Sequence, residues 1–181
     1  MRARRHVSDL RGKVLLVGLA FVFVGTALAL AQSQSPVSLR RAVDREHRGT
    51  EWISTSDLAA QLERPETERP LLLDVRAEAE FQQSRLHDAV RVEPGTTDLS
   101  ELGLRGRHVV VYCSVGYRSA ELMPAVRAAG AASVKNLIGG IFQWANEDRL
   151  LCDDSGRAQR VHPYDAEWGR YLRNERRARM R

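Results

Sequence analysis

A chain of 181 residues has room for one ordinary domain plus terminal extensions. Its formal net charge of +5 sits at the ends: residues 1–13 hold five basic side chains against one acidic, and residues 170–181 six arginines against Glu175. The body between is mildly acidic, which argues against a nucleic-acid partner, and two cysteines this far apart cannot build a metal site without histidines.

In chain order, the basic start (Arg2, Arg4, Arg5, Arg11, Lys13) is followed by residues 14–31, an uncharged apolar run. At about 1.5 Å per residue it makes an apolar helix of roughly 27 Å, just short of the ~30 Å hydrocarbon core. Ala29-Leu30-Ala31 before polar Gln32 is an A-x-A cleavage site. Residues 1–31 therefore read as a signal peptide or a retained membrane anchor, with cleavage after Ala31 preferred. Positive charge ahead of the run keeps the N-terminus cytoplasmic and exports the domain, to the periplasm or an equivalent extracytoplasmic space. Residues 32–50 are polar without a sustained apolar period and read as a flexible linker. The domain is expected over residues 51–150.

Ser54-Thr55-Ser56-Asp57 has the pattern of a helix N-cap, with Leu58 and Leu62 on one face and Arg64-Pro65-Glu66 ending the helix. A strand is predicted at Leu71, a short helix over 78–83, strands near Val90 and at Val109, a helix over 120–129, a strand at Val134 and a helix at Ile141. This alternation predicts an α/β fold, a mainly parallel sheet with helices on both faces. Pro124 inside the fourth helix predicts a kink or a late start. Gly130 is placed at C′ of that helix. Residues 151–181 form a C-terminal extension. Val161, Trp168, Tyr171 and Leu172 give it apolar surface to pack against the body. His162 is assigned to packing, and the Arg-rich tail to a solvated, frayed helix, with contact to anionic lipid as the alternative.

The chemistry concentrates at Cys113-Ser114-Val115-Gly116-Tyr117-Arg118-Ser119. Val109-Val110-Val111-Tyr112 before it has the composition of a buried parallel strand, so Cys113 falls at a strand-to-helix turn. Backbone N–H groups there lack intrahelical partners and add to the positive end of the helix dipole. A thiolate in that position is expected to be stabilised by these donors, with Arg118 adding a cation. A lone cysteine is ordinarily a buried apolar residue; this setting makes Cys113 a nucleophile instead. The spacing Cys-x4-Arg is one residue shorter than the loop with which tyrosine-phosphatase-type enzymes surround a phosphate, and it suits a single bonded sulfur better.

The loop resembles that of the rhodanese family, and the likeness extends over residues 52–150. Leu71-Leu72-Leu73-Asp74-Val75-Arg76 with Glu80-Phe81 is similar to its first core strand and Asp-Val-Arg motif. Val134 to Ile141, then Trp144, is similar to its last strand, glycine turn and helix. Where the family usually carries Gly-His-Ile-Pro-Gly-Ala this chain has Ser84-Arg85-Leu86-His87-Asp88-Ala89, so the geometry of that turn is the departure to watch. The resemblance implies a rhodanese-like three-layer domain acting as a sulfurtransferase. Cys113 and Arg118 are its catalytic residues, the loop from Ser114 through Val115, Gly116 and Tyr117 to Ser119 binds substrate, Arg76 is a second anion contact, and Asp74 is structural support. It further implies a small sulfur donor such as thiosulfate, a thiol or other thiophilic acceptor, and no metal or organic cofactor. The alternative is a non-catalytic binding or redox-sensing module. In an oxidising compartment Cys152 is a conceivable disulfide partner for Cys113.

Overall fold

The structure, a computed structural model, describes residues 36–180. The apolar segment at 14–31 lies outside the described residues. Among those described, no helix is long and apolar enough to cross a membrane.

Five parallel strands form the main sheet: β1 (Trp52–Ile53), β2 (Leu71–Asp74), β3 (Val90–Arg91), β4 (His108–Tyr112) and β5 (Ser133–Leu137), in the order β1-β5-β4-β2-β3. Register follows from matching apolar runs, with Leu71 to Asp74 beside Val109 to Tyr112 and Val111 beside Asn136. Successive side chains point to opposite faces. Val110 and Tyr112 join Leu72 on one side, Val109 and Val111 join Leu73 on the other, and each set is the centre of its own buried cluster. A sheet covered on both faces needs unbroken apolar strands, and β2 and β4 have them.

The helices α2 (Thr55–Leu62) and α5 (Gly140–Asn146) cover the first face through Leu58, Ile141, Phe142 and Trp144. On the second face lies α4 (Tyr117–Ala128), through Leu122, Met123 and Val126. The short α3 (Glu78–Gln83) leaves the C-terminal end of β2. This is the three-layer α/β arrangement expected. Ser54 caps α2 by accepting from the Asp57 N–H at 3.0 Å. Gly130, at φ 90°, ends α4 in a Schellman pattern in which Ala131 N–H reaches Val126 O and Gly130 N–H reaches Arg127 O.

Four expectations need correction. The first is that residues 32–50 contain not a featureless linker but α1 (Pro36–Glu46), seated by Leu39 and Val43, four residues apart, with Val43 buried. One narrow apolar stripe in a polar segment is enough because Trp52 Nε1–H also donates to Asp44 Oδ1 at 2.7 Å. Next, of the kink or late start expected at Pro124 the late start falls away, since α4 begins at Tyr117 and runs on through Pro124. Proline in a helix costs on the order of 3 kcal/mol, whereas burying Leu122, Met123 and Val126 returns about 1.5–3 kcal/mol each. Third, the Arg-rich tail is not a frayed helix. Arg173 and Arg176 pair with Asp148, and Ala178 N–H bonds back to Val161 O. The remaining one concerns Cys152, which lies on the antiparallel hairpin of β6 (Leu151–Asp153) and β7 (Gly156–Ala158) with its thiol directed at Arg85 O; both cysteines are free thiols.

The altered turn at 84–89 is formed nonetheless. Arg76 Nη2 donates to Ser84 O, Leu86 N–H donates to Tyr112 Oη, and Arg85 bridges to Cys152. Asp88 takes φ 60° where the family pattern has glycine, a conformation that aspartate tolerates better than most residues.

Candidate functional site at the Cys113 loop

The turn between β4 and α4 is held by three contacts from two elements, and each fixes a peptide plane. At the start of α5, Ile141 N–H donates to Cys113 O at 2.9 Å and Phe142 N–H to Ser114 O at 3.1 Å. From β5, Asn136 Nδ2 donates to Gly116 O at 2.7 Å. In a trans peptide the carbonyl and the following N–H point opposite ways. Tying these three carbonyls outward therefore turns the N–H groups of Ser114, Val115 and Tyr117 away from α5 and Asn136. Gly116 N–H meets the cysteine sulfur itself, donating to Cys113 Sγ at 3.2 Å.

Two glycines permit this packing. Gly116 has φ 106°, and a Cβ there would stand 3.2 Å from the Trp52 ring. Gly140 has φ 54°, and its Cβ would fall 2.3 Å from Cys113 O. The Gly139-Gly140 pair thus lets α5 press its N-terminal donors onto the loop.

Arg118, on the first turn of α4, forms a bidentate pair with Glu80 of α3: Nη1 to Oε2 at 2.7 Å and Nη2 to Oε1 at 2.8 Å. Ser114 Oγ completes the group, donating to Glu80 Oε1 and accepting from Arg118 Nη2. Burial opposes charge on both partners, yet each keeps it. Glu80 is lowered below the usual carboxylate value by Arg118, with Arg76 and Ser114 assisting. Arg118 is raised by Glu80 and by Cys113. A cationic donor is in this way held beside the sulfur.

The other predicted residues are placed as follows. Cys113, Ser114 and Val115 are buried, with Cys113 only 1% exposed. Ser119 is buried in α4, its hydroxyl donating to Asn136 Oδ1. Tyr117 Oη contacts Glu46 of α1, and its ring meets His47 edge-on at 5.1 Å. Arg76 is not at the loop's surface. It is fully buried, with Nε and Nη2 on Asp74 at 2.8 and 2.6 Å and its charge centre 5.9 Å from the Tyr112 ring. The expectation that it contacts the anion gives way to a bracing role: with Asp74 it ties the end of β2 to the 84–89 turn. His87 is exposed and pairs with Asp88. His162 Nδ1 accepts from Tyr164 N–H. Among the described residues, no group of three or more His, Cys, Asp or Glu stands close enough to hold a metal ion.

Sequence reasoning missed four contributors. Glu80 was seen only as part of a motif, though a carboxylate 38 residues before the loop arginine was its natural counter-ion. Asn136 belongs to the last-strand motif without a role of its own; a lone amide between Val134 and Leu137 is the available signal. Trp52 and α1 left none, because their contacts with the loop are made only in three dimensions.

Comparison with known proteins agrees with this geometry. The Rhodanese-like domain family matches residues 54–147, just over half of the chain. A sulfurtransferase of Allochromatium vinosum is 37% identical over 95 residues, covering 51% of this chain and 86% of that protein. A probable adenylyltransferase/sulfurtransferase, MoeZ, of Mycobacterium tuberculosis is 36% identical over 80 residues, 42% of this chain but 20% of that protein. Among solved structures, the thiosulfate sulfurtransferase of Pseudomonas aeruginosa superposes with a TM-score of 0.51 at 19% identity, over 76% of this chain and 26% of that one, a likeness of fold. By the extent of the family match and of the Allochromatium alignment, this chain belongs to the rhodanese-like domain family.

Proposed function

We propose that the protein is a sulfurtransferase working by double displacement through a persulfide on Cys113. The observation that carries the reading is the Gly116 N–H donated to Cys113 Sγ at 3.2 Å, inside a loop whose neighbouring carbonyls are tied away from it. The thiolate of Cys113 attacks the outer sulfur of a donor such as thiosulfate. A new S–S bond forms as the donor's own S–S bond breaks, and sulfite departs with the bonding pair. The outer sulfur of the persulfide carries the negative charge and is stabilised by loop N–H groups. An acceptor thiolate then attacks that sulfur, and Cys113 leaves as the thiolate. Arg118, kept cationic by Glu80, favours the anionic donor. No metal or organic cofactor enters either step. The names of the relatives above, sulfurtransferase in each case, support the reaction class.

The test is mass spectrometry before and after thiosulfate. The wild-type chain is expected to gain one sulfur atom and lose it to an added thiol. Cys113→Ser, nearly isosteric but unable to hold a stable persulfide, is expected to stay folded and gain none. Sulfur uptake by the serine variant refutes the assignment. We further propose that residues 14–31 direct the domain across the membrane, on the strength of the basic start and the A-x-A site. Protease added to intact spheroplasts digests an exported domain, and protection from it refutes the export.

A further inference from the structure

The C-terminal extension reaches the candidate site through one residue. Tyr164 places its ring 4.8 Å from the Arg118 guanidinium carbon while remaining 47% exposed. A tyrosine on the surface is unremarkable; how this one is held is not. Its backbone has φ 68°, a left-handed conformation that costs a non-glycine residue about 1–2 kcal/mol. His162 Nδ1 accepts the Tyr164 N–H, and Asp165 N–H bonds to Pro163 O across it. Asp165 then caps α6 (Ala166–Gly169) by accepting from Trp168 N–H at 2.7 Å. Gly169 is in contact with Pro163, where a Cβ would stand 2.8 Å from the proline ring. The frame beneath is anchored by buried Val161 and Leu172 and by Asn146, which bonds Tyr171 O and Arg173 N–H. A rigid platform thus holds one strained aromatic residue over one cation.

Arg118 is restrained in its plane by Glu80 and Ser114. It also lines a cavity of about 160 Å³ with Val75, Pro94, Thr96 and Thr97. An aromatic ring over a guanidinium restricts swinging out of that plane and favours the charged form.

We propose that Tyr164 is a positioning residue for the donor-binding arginine: its ring holds Arg118 so that the guanidinium N–H groups left over by Glu80 and Ser114 meet a small anionic sulfur donor. The proposal rests on the sulfurtransferase reading for its substrate and on geometry alone for its contact. It assigns a role to a segment beyond residues 54–147, where the family match ends.

Two measurements on the full chain test it. In steady-state kinetics, Tyr164→Ala is expected to raise KM for thiosulfate about fivefold, with kcat changed by less than about twofold, and Tyr164→Phe, which keeps the ring, stays within about twofold of wild type in both. By NMR, the Arg118 Nε–H, assigned with Arg118→Lys, is expected to carry a ring-current shift in wild type and Tyr164→Phe. Tyr164→Ala loses that shift and exchanges the proton with water several-fold faster. A wild-type chain that takes no sulfur from thiosulfate refutes the sulfurtransferase reading, and the Nε–H signal still decides the role of Tyr164. Unchanged KM or unchanged exchange in Tyr164→Ala overturns the proposal, as does a Phe variant as impaired as the Ala variant.

Discussion

Gly140→Ala isolates what holds the cysteine loop in shape. Two costs fall on the added methyl. The first is conformational: at φ 54° an L-residue pays about 1–2 kcal/mol relative to glycine. The second is steric, since the Cβ would lie 2.3 Å from Cys113 O and 2.6 Å from Ser114 O, and ordinary contact begins at 3.4 Å. Neither obstacle is a flexible side chain, so α5 must draw back from the loop. Its N–H donors at Ile141 and Phe142 then lose carbonyls at 2.9 and 3.1 Å, at about 0.5–1.5 kcal/mol each. The expected loss is about 2–5 kcal/mol, a large part of the 5–15 kcal/mol typical of a domain. Gly103→Ala is the control. It has a similar φ of 57° with nothing within 4 Å of its Cβ, so it pays the conformational cost alone. Urea unfolding of both variants separates the terms, and sulfur transfer per folded molecule reports the loop. The expected result is a larger destabilisation in Gly140→Ala, with a drop in transfer rate absent from Gly103→Ala. Equal destabilisation and equal activity of the two variants refute the reasoning.

Glu80→Gln removes the charge facing Arg118 while keeping the shape, and a broken buried pair costs about 3–5 kcal/mol at full burial. Because the Arg118 side chain is 21% exposed and can recruit water, about 2–4 kcal/mol is expected by denaturant unfolding; a loss under about 0.5 kcal/mol would show that the pair is not a structural element. Acid should weaken the wild type through the same group. Arg118 holds Glu80 below the usual carboxylate pKa, so its contribution is complete above the unfolded value near 4.5 and is lost as pH falls through the lower folded value. Unfolding curves across that window are expected to bring wild type and Glu80→Gln together as pH drops, and parallel curves would contradict the assignment.

What was legible in the sequence was whatever depends on local pattern. The apolar runs at 71–74 and 108–112 specify buried parallel strands, and Ser54 before Asp57 specifies a cap, because the forces involved act within a few residues. The place of Cys113 was legible for the same reason, since the turn between Tyr112 and Tyr117 is itself local. What escaped was set by pairing across the fold. Arg76 and Arg118 look alike as letters, yet one is sealed against Asp74 and the other stands beside the sulfur with Glu80. The direction of a long arginine side chain depends on which carboxylate it meets. Two buried carboxylates, Asp74 and Glu80, lie six residues apart, and only the folded structure shows that the first takes Arg76 and the second Arg118.

The loop's partly exposed residues, Tyr117 and Arg118, lead to a further point. Tyr117 is met by Glu46 and His47 at the end of α1, and Arg118 by Tyr164 of the C-terminal extension. Both partners lie outside residues 54–147. Inside that span the contacts act mainly on the backbone, Asn136 on Gly116 O and α5 on Cys113 O and Ser114 O, with Glu80 holding the Arg118 guanidinium from within the fold. These fix where N–H groups point, which any chemistry at Cys113 requires. The contacts from α1 and Tyr164 fall instead on the two side chains at the rim, and Trp52, also outside the span, packs on Gly116. A change near Tyr164 therefore falls on the Arg118 side chain rather than on the loop's hydrogen-bonded carbonyls, whereas a change in α1 reaches both Tyr117 and, through Asp44 and Trp52, the backbone at Gly116.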